Sequence, residues 1–174
     1  MLALVPPGGL VLDAACGTGK YWPMLLDAGL QVVGVDQSQA MLKVAQAKHP
    51  GVSVTHAALQ NLSASLAVTV DGLICVDAME NVGPEDWPVV LDGLASALRP
   101  GSPAYVTVEL PEDDVTMDSE TGTAPLVEGE VLEDGAYHFY PPIDTARSWL
   151  TEHGFTVTSE TEGDGYHHFL LARS

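Results

Sequence analysis

The sequence is short of basic residues and of cysteine, and it contains no long apolar run. Of its 174 residues, 6 are Lys or Arg and 2 are Cys. No apolar stretch approaches the roughly 20 residues that a membrane-spanning helix needs, so we expect no membrane contact. No basic segment precedes Pro6, which argues against a signal peptide. Because Cys16 and Cys75 lie in separate apolar segments, we expect reduced thiols and a cytoplasmic protein.

The charge balance of the chain is strongly acidic. Its 24 acidic residues give a net charge of −18, which would repel a phosphate backbone and argues against a nucleic-acid substrate. The acidic residues concentrate in segments 109–133 and 152–164. Two explanations stay open at this point. The acidity is either the solvated surface of a salt-adapted protein or an acidic mouth that attracts a cationic substrate or cofactor.

The order of apolar and polar segments indicates an α/β fold. Hydrophobic residues make up 46% of the chain, enough for one domain over residues 1–174. Short apolar runs alternate with helical patterns, and Ser38 and Pro84 are placed to begin two of the helices. The predicted strands cover 10–14, 31–35, 52–56, 71–77 and 104–110, and the predicted helices cover 22–28, 38–49 and 84–98.

The rest of the chain departs from this alternation. Residues 111–134 are polar and acidic, a helix is predicted over 143–153, and strands over 155–159 and 167–172 are joined by a turn-rich link. Apolar strands that are separated by helices are typical of a parallel sheet covered on both faces. We therefore predict a mostly parallel seven-stranded sheet with helices on both faces and an antiparallel C-terminal strand pair.

The most informative segment follows the first predicted strand. Asp13 ends a buried run, and Gly17 and Gly19 stand in a turn before a helix, where the backbone can pass close to a ligand. Two glycines alone are also compatible with a plain tight turn. A dinucleotide fingerprint requires G-x-G-x-x-G, but Trp22 occupies the place of the third glycine. A phosphate-binding P-loop requires G-x-x-x-x-G-K-[ST], which this segment does not match at either end.

This segment resembles the first motif of the class I S-adenosylmethionine-dependent methyltransferases, an acidic residue followed by spaced glycines. Asp13, Gly17 and Gly19 match the motif, and Ala15 stands where its first glycine usually is. The resemblance implies a Rossmann-like fold and S-adenosyl-L-methionine as cofactor. It also implies that the turn, which includes Cys16, cradles the methionine end of the cofactor while Asp13 helps to hold its ammonium group.

The resemblance extends through the second and third strands. Asp36 ends the second strand, where a carboxylate can accept two hydrogen bonds from a ribose diol or can simply start the following turn. The resemblance also places Gln37, the residue after Asp36, in the cofactor site. Met41 falls where the family packs a side chain near adenine, although core filling is an equally good interpretation. Leu59 and Gln60 occupy the segment that flanks adenine in the family, and Gln60 either offers its amide to the base or faces solvent.

The methyl acceptor is expected beyond the carboxyl ends of the strands, where ligands bind in open α/β sheets. By resemblance, the segment that contains Asp77 runs beneath the sulfonium, and Glu80, Asn81 and Glu109 lie in the same region. The segment 111–141 is predicted to be an acidic insertion over the acceptor site, because long irregular loops more often carry function than scaffold.

Within this insertion, residues 137–141 bring aromatic and polar side chains together. His138 is the predicted general base, because an imidazole can exchange a proton near neutral pH. A hairpin whose aromatic side chains shield the sheet is the competing interpretation. The pair His167 and His168 lacks cysteine or carboxylate partners at metal-ligand spacing, so no metal site is predicted.

We therefore expect methyl transfer from S-adenosyl-L-methionine to a small-molecule acceptor. Alignment supplies much of the acceleration of such an in-line displacement, so the family has no universal catalytic residue and the acceptor is not predicted. A nicotinamide-dependent oxidoreductase is disfavoured by the missing third glycine. Family members usually carry a helical lid before the first strand, whereas this chain begins nine residues before it. A non-catalytic cofactor-binding or partner-binding module, or a truncated methyltransferase without its lid, stays open, as does the oligomeric state.

Overall fold

The computed structural model describes residues 1–111, 127–133 and 136–174. Its strands β1 to β9 are Leu10–Ala14, Gln31–Asp36, Ser53–His56, Gly72–Cys75, Pro103–Glu109, Glu130–Glu133, Ala136–Phe139, Phe155–Gly163 and Tyr166–Arg173. Its helices α1 to α5 are Trp22–Asp27, Gln39–Lys48, Leu62–Ser65, Trp87–Ala97 and Ile143–Glu152. Short 3-10 turns cover Leu2–Leu4, Leu59–Asn61 and Met79–Asn81.

In the described part of the chain, seven strands form one sheet in the order β3-β2-β1-β4-β5-β9-β8. Strands β1 to β5 are parallel, whereas β9 runs antiparallel to β5 and β8 runs antiparallel to β9. Strands β6 and β7 form a separate antiparallel hairpin. The predicted sheet and its antiparallel C-terminal pair are therefore confirmed.

The strand order reverses between β1 and β4. From β1 the chain moves outward through β2 to β3, then returns so that β4 pairs with the other side of β1. At this reversal Asp13 lies between Gly34 of β2 and Ile74 of β4. In open α/β sheets, the crevice at the carboxyl ends of such strands is where ligands bind.

The two faces of the sheet are covered by different helices. Val11 belongs to the apolar cluster that buries Trp22 of α1 and Leu42 of α2. The next residue, Leu12, points to the other cluster, which buries Leu94 of α4 and Leu150 of α5. Because successive strand residues face opposite sides, β1 is apolar except for Asp13, as a strand covered on both faces should be. Each large apolar side chain buried in this way stabilises the fold by about 1.5–3 kcal/mol.

The start of α2 agrees with the prediction, whereas the start of α4 departs from it. Ser38 caps α2, and its Oγ accepts a hydrogen bond of 3.3 Å from the backbone N–H of Met41. Helix α4 begins at Trp87, three residues after Pro84. Pro84 instead lies in a turn that is closed by a hydrogen bond of 2.9 Å from the Asp86 N–H to the carbonyl of Gly83.

Strand β8 is longer than the sequence pattern predicts. It continues past Ser159 to Gly163, with a register irregularity between Val157 and Ser159. The apolar alternation stops because the outer half of the strand is exposed and polar. In this outer half, Glu160 pairs with Arg147 of α5 and His167 of β9. These polar contacts attach the end of β8 to its neighbours in place of apolar packing.

The hairpin of β6 and β7 is the described part of the predicted acidic insertion. Phe139 is 1% exposed, and its ring centroid lies 6.2 Å from both the Trp87 and the Trp149 rings. These contacts anchor the hairpin on α4 and α5. Residues 112–126 and 134–135 of the insertion lie outside the described residues. None of the helices in the described ranges combines the length and apolar character needed to cross a bilayer.

Candidate active site

The turn between β1 and α1 takes left-handed backbone at alternate residues. Ala15, Gly17 and Gly19 have φ angles of 61°, 52° and 72°. A Cβ built on Gly17 would meet no atom within 4 Å, so this part of the turn borders open space. Ala15 has the backbone conformation that favours glycine, at the position where the sequence motif leads one to expect glycine. For an L-residue this conformation costs about 1–2 kcal/mol.

Asp36 ties the end of β2 to this turn. Its Oδ2 accepts a hydrogen bond of 2.7 Å from the Gly17 N–H, and its Oδ1 accepts one of 2.7 Å from the Ser38 N–H. Since a carboxylate has about four lone-pair positions, each oxygen keeps the capacity for one further donor. The two interpretations of Asp36 are therefore compatible, because it starts the next turn and still offers acceptors to a diol.

Asp13 lies beneath the turn. The indole Nε1 of Trp22 donates a hydrogen bond of 2.8 Å to its Oδ2, and Asp13 is 2% exposed. Burial raises the pKa of Asp13 to about 7, the bond from Trp22 opposes this rise, and the charge of Asp36 adds to it. The side chain is thus a buried acid poised near neutral pH.

Trp22 fills the space at the position of the missing third glycine. A Cβ added to Gly19 would lie 2.7 Å from the indole ring, and one added to Gly34 would lie 2.6 Å from it. The two glycines therefore make room for the ring. Gly34 was not among the predicted site residues. Its signal in the sequence is a glycine inside an otherwise β-branched strand, which indicates close approach.

Cys16 supports the shape of the turn. Its backbone N–H donates to the Val35 carbonyl and its own carbonyl accepts from the Gly19 N–H, each at 2.9 Å. The thiol is buried, and burial together with the carboxylates of Asp13 and Asp36 raises the pKa of Cys16 to about 12. The thiol therefore stays protonated and unreactive.

Beyond Asp36 the chain presents an accessible edge. Met41 is 46% exposed, so core filling does not explain it, and its side chain remains available to a flat apolar group. Gln37 is also exposed, and its carbonyl lies 2.9 Å from the Nε2 of His56. These two residues border the region where the resemblance places adenine.

Leu59 and Gln60 lie in the 3-10 turn after β3. Leu59 is buried, whereas Gln60 is partly exposed. The Gln60 side-chain Nε2 donates a hydrogen bond of 2.9 Å to the Oδ2 of Asp86. This bond links the predicted adenine-flanking segment to the start of α4, so Gln60 is held in place and does not extend freely into solvent.

Asp77 follows β4 on the other side of the crevice. It has a left-handed φ of 58°, and its backbone N–H donates a hydrogen bond of 3.0 Å to the Oγ1 of Thr107. Its exposed side chain accepts a hydrogen bond from the Tyr166 hydroxyl. The sequence did not predict the parts played by Thr107 and Tyr166. The Thr107 contact depends on the parallel pairing of β4 with β5, and the Tyr166 contact depends on the antiparallel pairing that places Tyr166 opposite Glu109.

Glu80 is buried in the 3-10 turn after Asp77. It is 3% exposed, and its Oε1 accepts a hydrogen bond of 2.7 Å from the Nδ2 of Asn81. Its Oε2 is buried and has no hydrogen-bond partner among the described residues. Burial is the main cause that raises the pKa of Glu80 to about 7, and the nearby carboxylates of Glu109 and Asp77 raise it further.

His138 lies in β7, with its ring stacked on that of Tyr140 at a centroid distance of 5.9 Å. Its Nδ1 is buried and lacks a hydrogen-bond partner within the described ranges. Because strand residues alternate, His138 and Tyr140 lie on the opposite side of β7 from Phe139, which faces the core. The Phe139 side of the hairpin shields the core, as the hairpin interpretation predicts, and the other side carries the imidazole of His138.

A groove of about 810 Å³ lies at the opposite edge of the sheet, where it includes Leu10, Val32 and Ser53 at the amino ends of strands. It contains none of the residues that the sequence assigns to the cofactor or acceptor. In the described ranges, no group of His, Cys, Asp and Glu has the arrangement of a metal site.

The residues at the carboxyl ends of β1 and β2 fit S-adenosyl-L-methionine. The open space at Gly17 leaves room for a ligand along the turn. The Asp36 carboxylate keeps acceptor capacity for two hydroxyl groups, and Met41 exposes an apolar side chain one helical turn further on. These features follow one another in the order in which the resemblance places the methionine moiety, the ribose and adenine.

Comparison with known proteins finds similarity to methyltransferases. The methyltransferase domain family matches residues 11–101, which is more than half of the chain. An uncharacterized methyltransferase of Oceanobacillus iheyensis is 25% identical over 160 residues, covering 88% of this chain and 72% of that protein. The ubiquinone biosynthesis O-methyltransferase of Xanthomonas axonopodis pv. citri is 30% identical over 108 residues, or 60% of this chain. The chain spans 44% of the length of that enzyme.

Among solved structures, magnesium protoporphyrin IX methyltransferase of Synechocystis with bound S-adenosylmethionine has the same fold. Its TM-score is 0.69 at 21% sequence identity, and the match covers 97% of this chain and 71% of that chain. The matched length includes β8 and β9, beyond the segment covered by the family match.

Proposed function

The chain belongs to the methyltransferase domain family and is an S-adenosyl-L-methionine-dependent methyltransferase, and we propose that it methylates a small-molecule acceptor at the carboxyl ends of β1 and β4. The observation that carries this assignment is the left-handed turn at Gly17, open on one side and tied to Asp36 on the other. This is the one place on the described surface where the motif residues, free space and an acceptor-rich carboxylate coincide.

We assign the cofactor moieties along this edge. The methionine end lies against the turn, the ribose diol bonds to the Asp36 carboxylate, and adenine lies beside the exposed side chain of Met41. The residues assigned to the cofactor are Asp13, Ala15, Cys16, Gly17, Gly19, Asp36, Gln37, Met41, Leu59, Gln60 and Asp77. Asp13 acts on the cofactor ammonium from beneath the turn, and a nearby cation favours the ionised form of a buried acid.

We assign the acceptor to the space at the carboxyl end of β4, where the 3-10 turn that holds Glu80 packs against the hairpin that holds His138. His138 is the proposed general base, because its buried Nδ1 has no hydrogen-bond partner among the described residues. The insertion over residues 111–141 would cover this space within a single domain spanning residues 1–174. A net charge of −18 supports a small molecule over a nucleic acid.

The free, buried thiols of Cys16 and Cys75 support a cytoplasmic enzyme, because reducing compartments keep thiols unpaired. Burial raises the pKa of Cys75 as well, so both sulfurs are stable in the reduced state. This proposal can be tested by locating the tagged native protein in its own cells.

Calorimetry with S-adenosylhomocysteine tests the cofactor site. Asp36→Ala should weaken binding about 10- to 100-fold, because hydrogen bonds to a charged group are worth about 1.5–3 kcal/mol. Asp27→Ala, which removes an exposed carboxylate in α1, is the matched control and should bind normally. Equal affinity of the two variants, with both folded by circular dichroism, would refute the ribose assignment.

A further inference from the structure

In the part of the chain that the structure describes, two buried side-chain atoms have no hydrogen-bond partner: Oε2 of Glu80 and Nδ1 of His138. The 3-10 turn that carries Glu80 packs against both β5 and β7, and His138 lies on β7. The two atoms therefore belong to elements in direct contact, beyond the carboxyl end of β4. Buried polar groups are nearly always paired, so two unpaired atoms on contacting elements indicate a missing partner.

The charges around Glu80 are negative. Glu109 at the end of β5 and Asp77 after β4 both act electrostatically on its carboxyl group and raise its pKa. The charges of Glu109 and Asp77 disfavour an anion beside Glu80 and favour a cation.

The basic side chains of the chain are placed elsewhere. Four of them bond to other groups: Lys48 to Thr18, Arg99 to Asp71, Arg147 to Glu160, and Arg173 to backbone carbonyls. Of the remaining two, Lys20 lies over the Tyr21 ring and Lys43 lies on α2. Residues 112–126 and 134–135 contain no Lys or Arg in sequence. No Lys or Arg of this chain is therefore described in an ion pair with Glu80 or Asp77.

We propose that the acceptor is a small amine, whose ammonium form is bound by Glu80 and whose nitrogen is deprotonated by His138. The proposal rests on the methyl transfer proposed above and names the acceptor class. An ammonium group supplies what both unpaired atoms lack, since its N–H groups donate to the Glu80 carboxylate and to the imidazole nitrogen. A carboxylate or phosphate acceptor would be repelled.

The reaction balances without a further reagent. The bound ammonium R–NH₃⁺ transfers one proton to Nδ1 of His138, which leaves R–NH₂ with a free electron pair. That pair forms the N–C bond to the methyl carbon while the C–S bond breaks and its electrons return to sulfur. The products are R–NH₂⁺–CH₃ and S-adenosylhomocysteine, and His138 then loses its proton to solvent.

The acceptor class is tested with matched panels of primary amines, alcohols and carboxylates on the same alkyl and benzyl scaffolds. Release of S-adenosylhomocysteine from the full chain is the readout. Turnover should occur with amines alone. Turnover with alcohols, phenols or carboxylates but not with amines would overturn the proposal, and so would the absence of all amine turnover while calorimetry still shows cofactor binding. Loss of cofactor binding itself would instead refute the proposed function.

Glu80→Gln tests the role of the carboxylate at nearly constant shape. For the best amine, kcat/KM should fall about 10- to 100-fold, as expected when a charged hydrogen bond is lost. Glu85→Gln makes the same change at an exposed carboxylate and should leave kcat/KM unchanged. Circular dichroism and melting temperature show whether each variant is folded.

The same variant separates acceptor binding from sulfonium binding. S-adenosylmethionine carries a sulfonium charge that S-adenosylhomocysteine lacks. If Glu80 faces the acceptor, the Glu80→Gln affinities for both cofactor forms should stay within about threefold of the parent values. A loss confined to S-adenosylmethionine would assign Glu80 to the sulfonium and overturn the proposal.

Discussion

The indole Nε1 of Trp22 donates a hydrogen bond of 2.8 Å to Oδ2 of Asp13, and neither residue is more than 2% exposed. This bond fastens the start of α1 to the end of β1, directly beneath the turn proposed to hold the cofactor. Trp22, whose presence excludes a dinucleotide fingerprint, therefore supports the turn structurally. The turn is supported from below by an aromatic ring that requires Gly19 and Gly34 to lack side chains.

The buried Asp13 should make the free energy of unfolding depend on pH. Its folded pKa of about 7 is above the ordinary value of 3.8, so the folded state retains a proton that the unfolded state releases. The stabilisation by this retained proton is complete at pH values below 3.8 and is lost as the pH rises towards about 7. Asp13→Asn keeps an acceptor for the indole and should reduce the loss of stability between pH 5 and 8, measured by urea denaturation.

Asp27→Asn is the matched control for this measurement, because Asp27 is exposed on α1. Its pH dependence should equal that of the parent protein. The pKa of Glu80 is also raised, so the free energy of unfolding of Asp13→Asn should still depend partly on pH. An unchanged slope in that variant would show that Asp13 does not titrate in this range.

Ala15→Gly should be tolerated or should stabilise the fold. The left-handed backbone at Ala15 costs about 1–2 kcal/mol, and glycine removes that cost while adding about 0.5–1 kcal/mol of chain entropy. The same change at Ala28, where φ is −76°, has no strain to relieve and should destabilise by about 0.5–1 kcal/mol. Equal destabilisation in the two variants, measured by urea denaturation, would contradict strain at Ala15.

His138→Ala should lower turnover by about 10²- to 10⁴-fold, the usual contribution of a general base, while the affinity for S-adenosylhomocysteine stays the same. Tyr140→Phe keeps the stacked ring and removes only a hydroxyl, so its effect should be smaller. Both rates are measured on a confirmed acceptor. Full turnover in His138→Ala would show that the assignment of the base is wrong.

The net charge of −18 should make the melting temperature depend on salt. Carboxylates repel one another across an acidic surface, and screening shortens that repulsion to about 8 Å at physiological ionic strength. The melting temperature should therefore rise as potassium chloride is added over this range. A flat or falling curve in calorimetric scans would count against a salt-adapted protein and leave a generally acidic surface.

Local patterns predicted the seven-stranded sheet and helices α1, α2, α4 and α5, but not the short helix α3. Strand β1 was predicted at its observed bounds, and Ser38 caps α2 as expected, because both depend on a few neighbouring residues. The start of α4 was predicted at Pro84, whereas the helix begins at Trp87. Pro84 suits the first turn of a helix, but the Gly83–Asp86 hydrogen bond uses it in a separate turn, and sequence spacing alone does not distinguish the two.

The site was predicted where its residues follow one another in a motif. The sequence identified Asp13, Gly17, Gly19 and Asp36 as a group, and the fold brings them to one edge. It could not predict that Tyr166 bonds to Asp77, because 89 residues separate them and only the register of β9 makes the contact. The burial of Glu80 was equally hidden, since an acidic residue after a strand usually faces solvent.

The position of β9 has a consequence for how the protein is made. This strand lies inside the sheet, between β5 and β8, although it is synthesised after both. The edge of β5 therefore stays open on the ribosome until residues 166–173 have emerged. An open strand edge is a template for pairing with other chains, so the nascent protein is most exposed to aggregation during this interval.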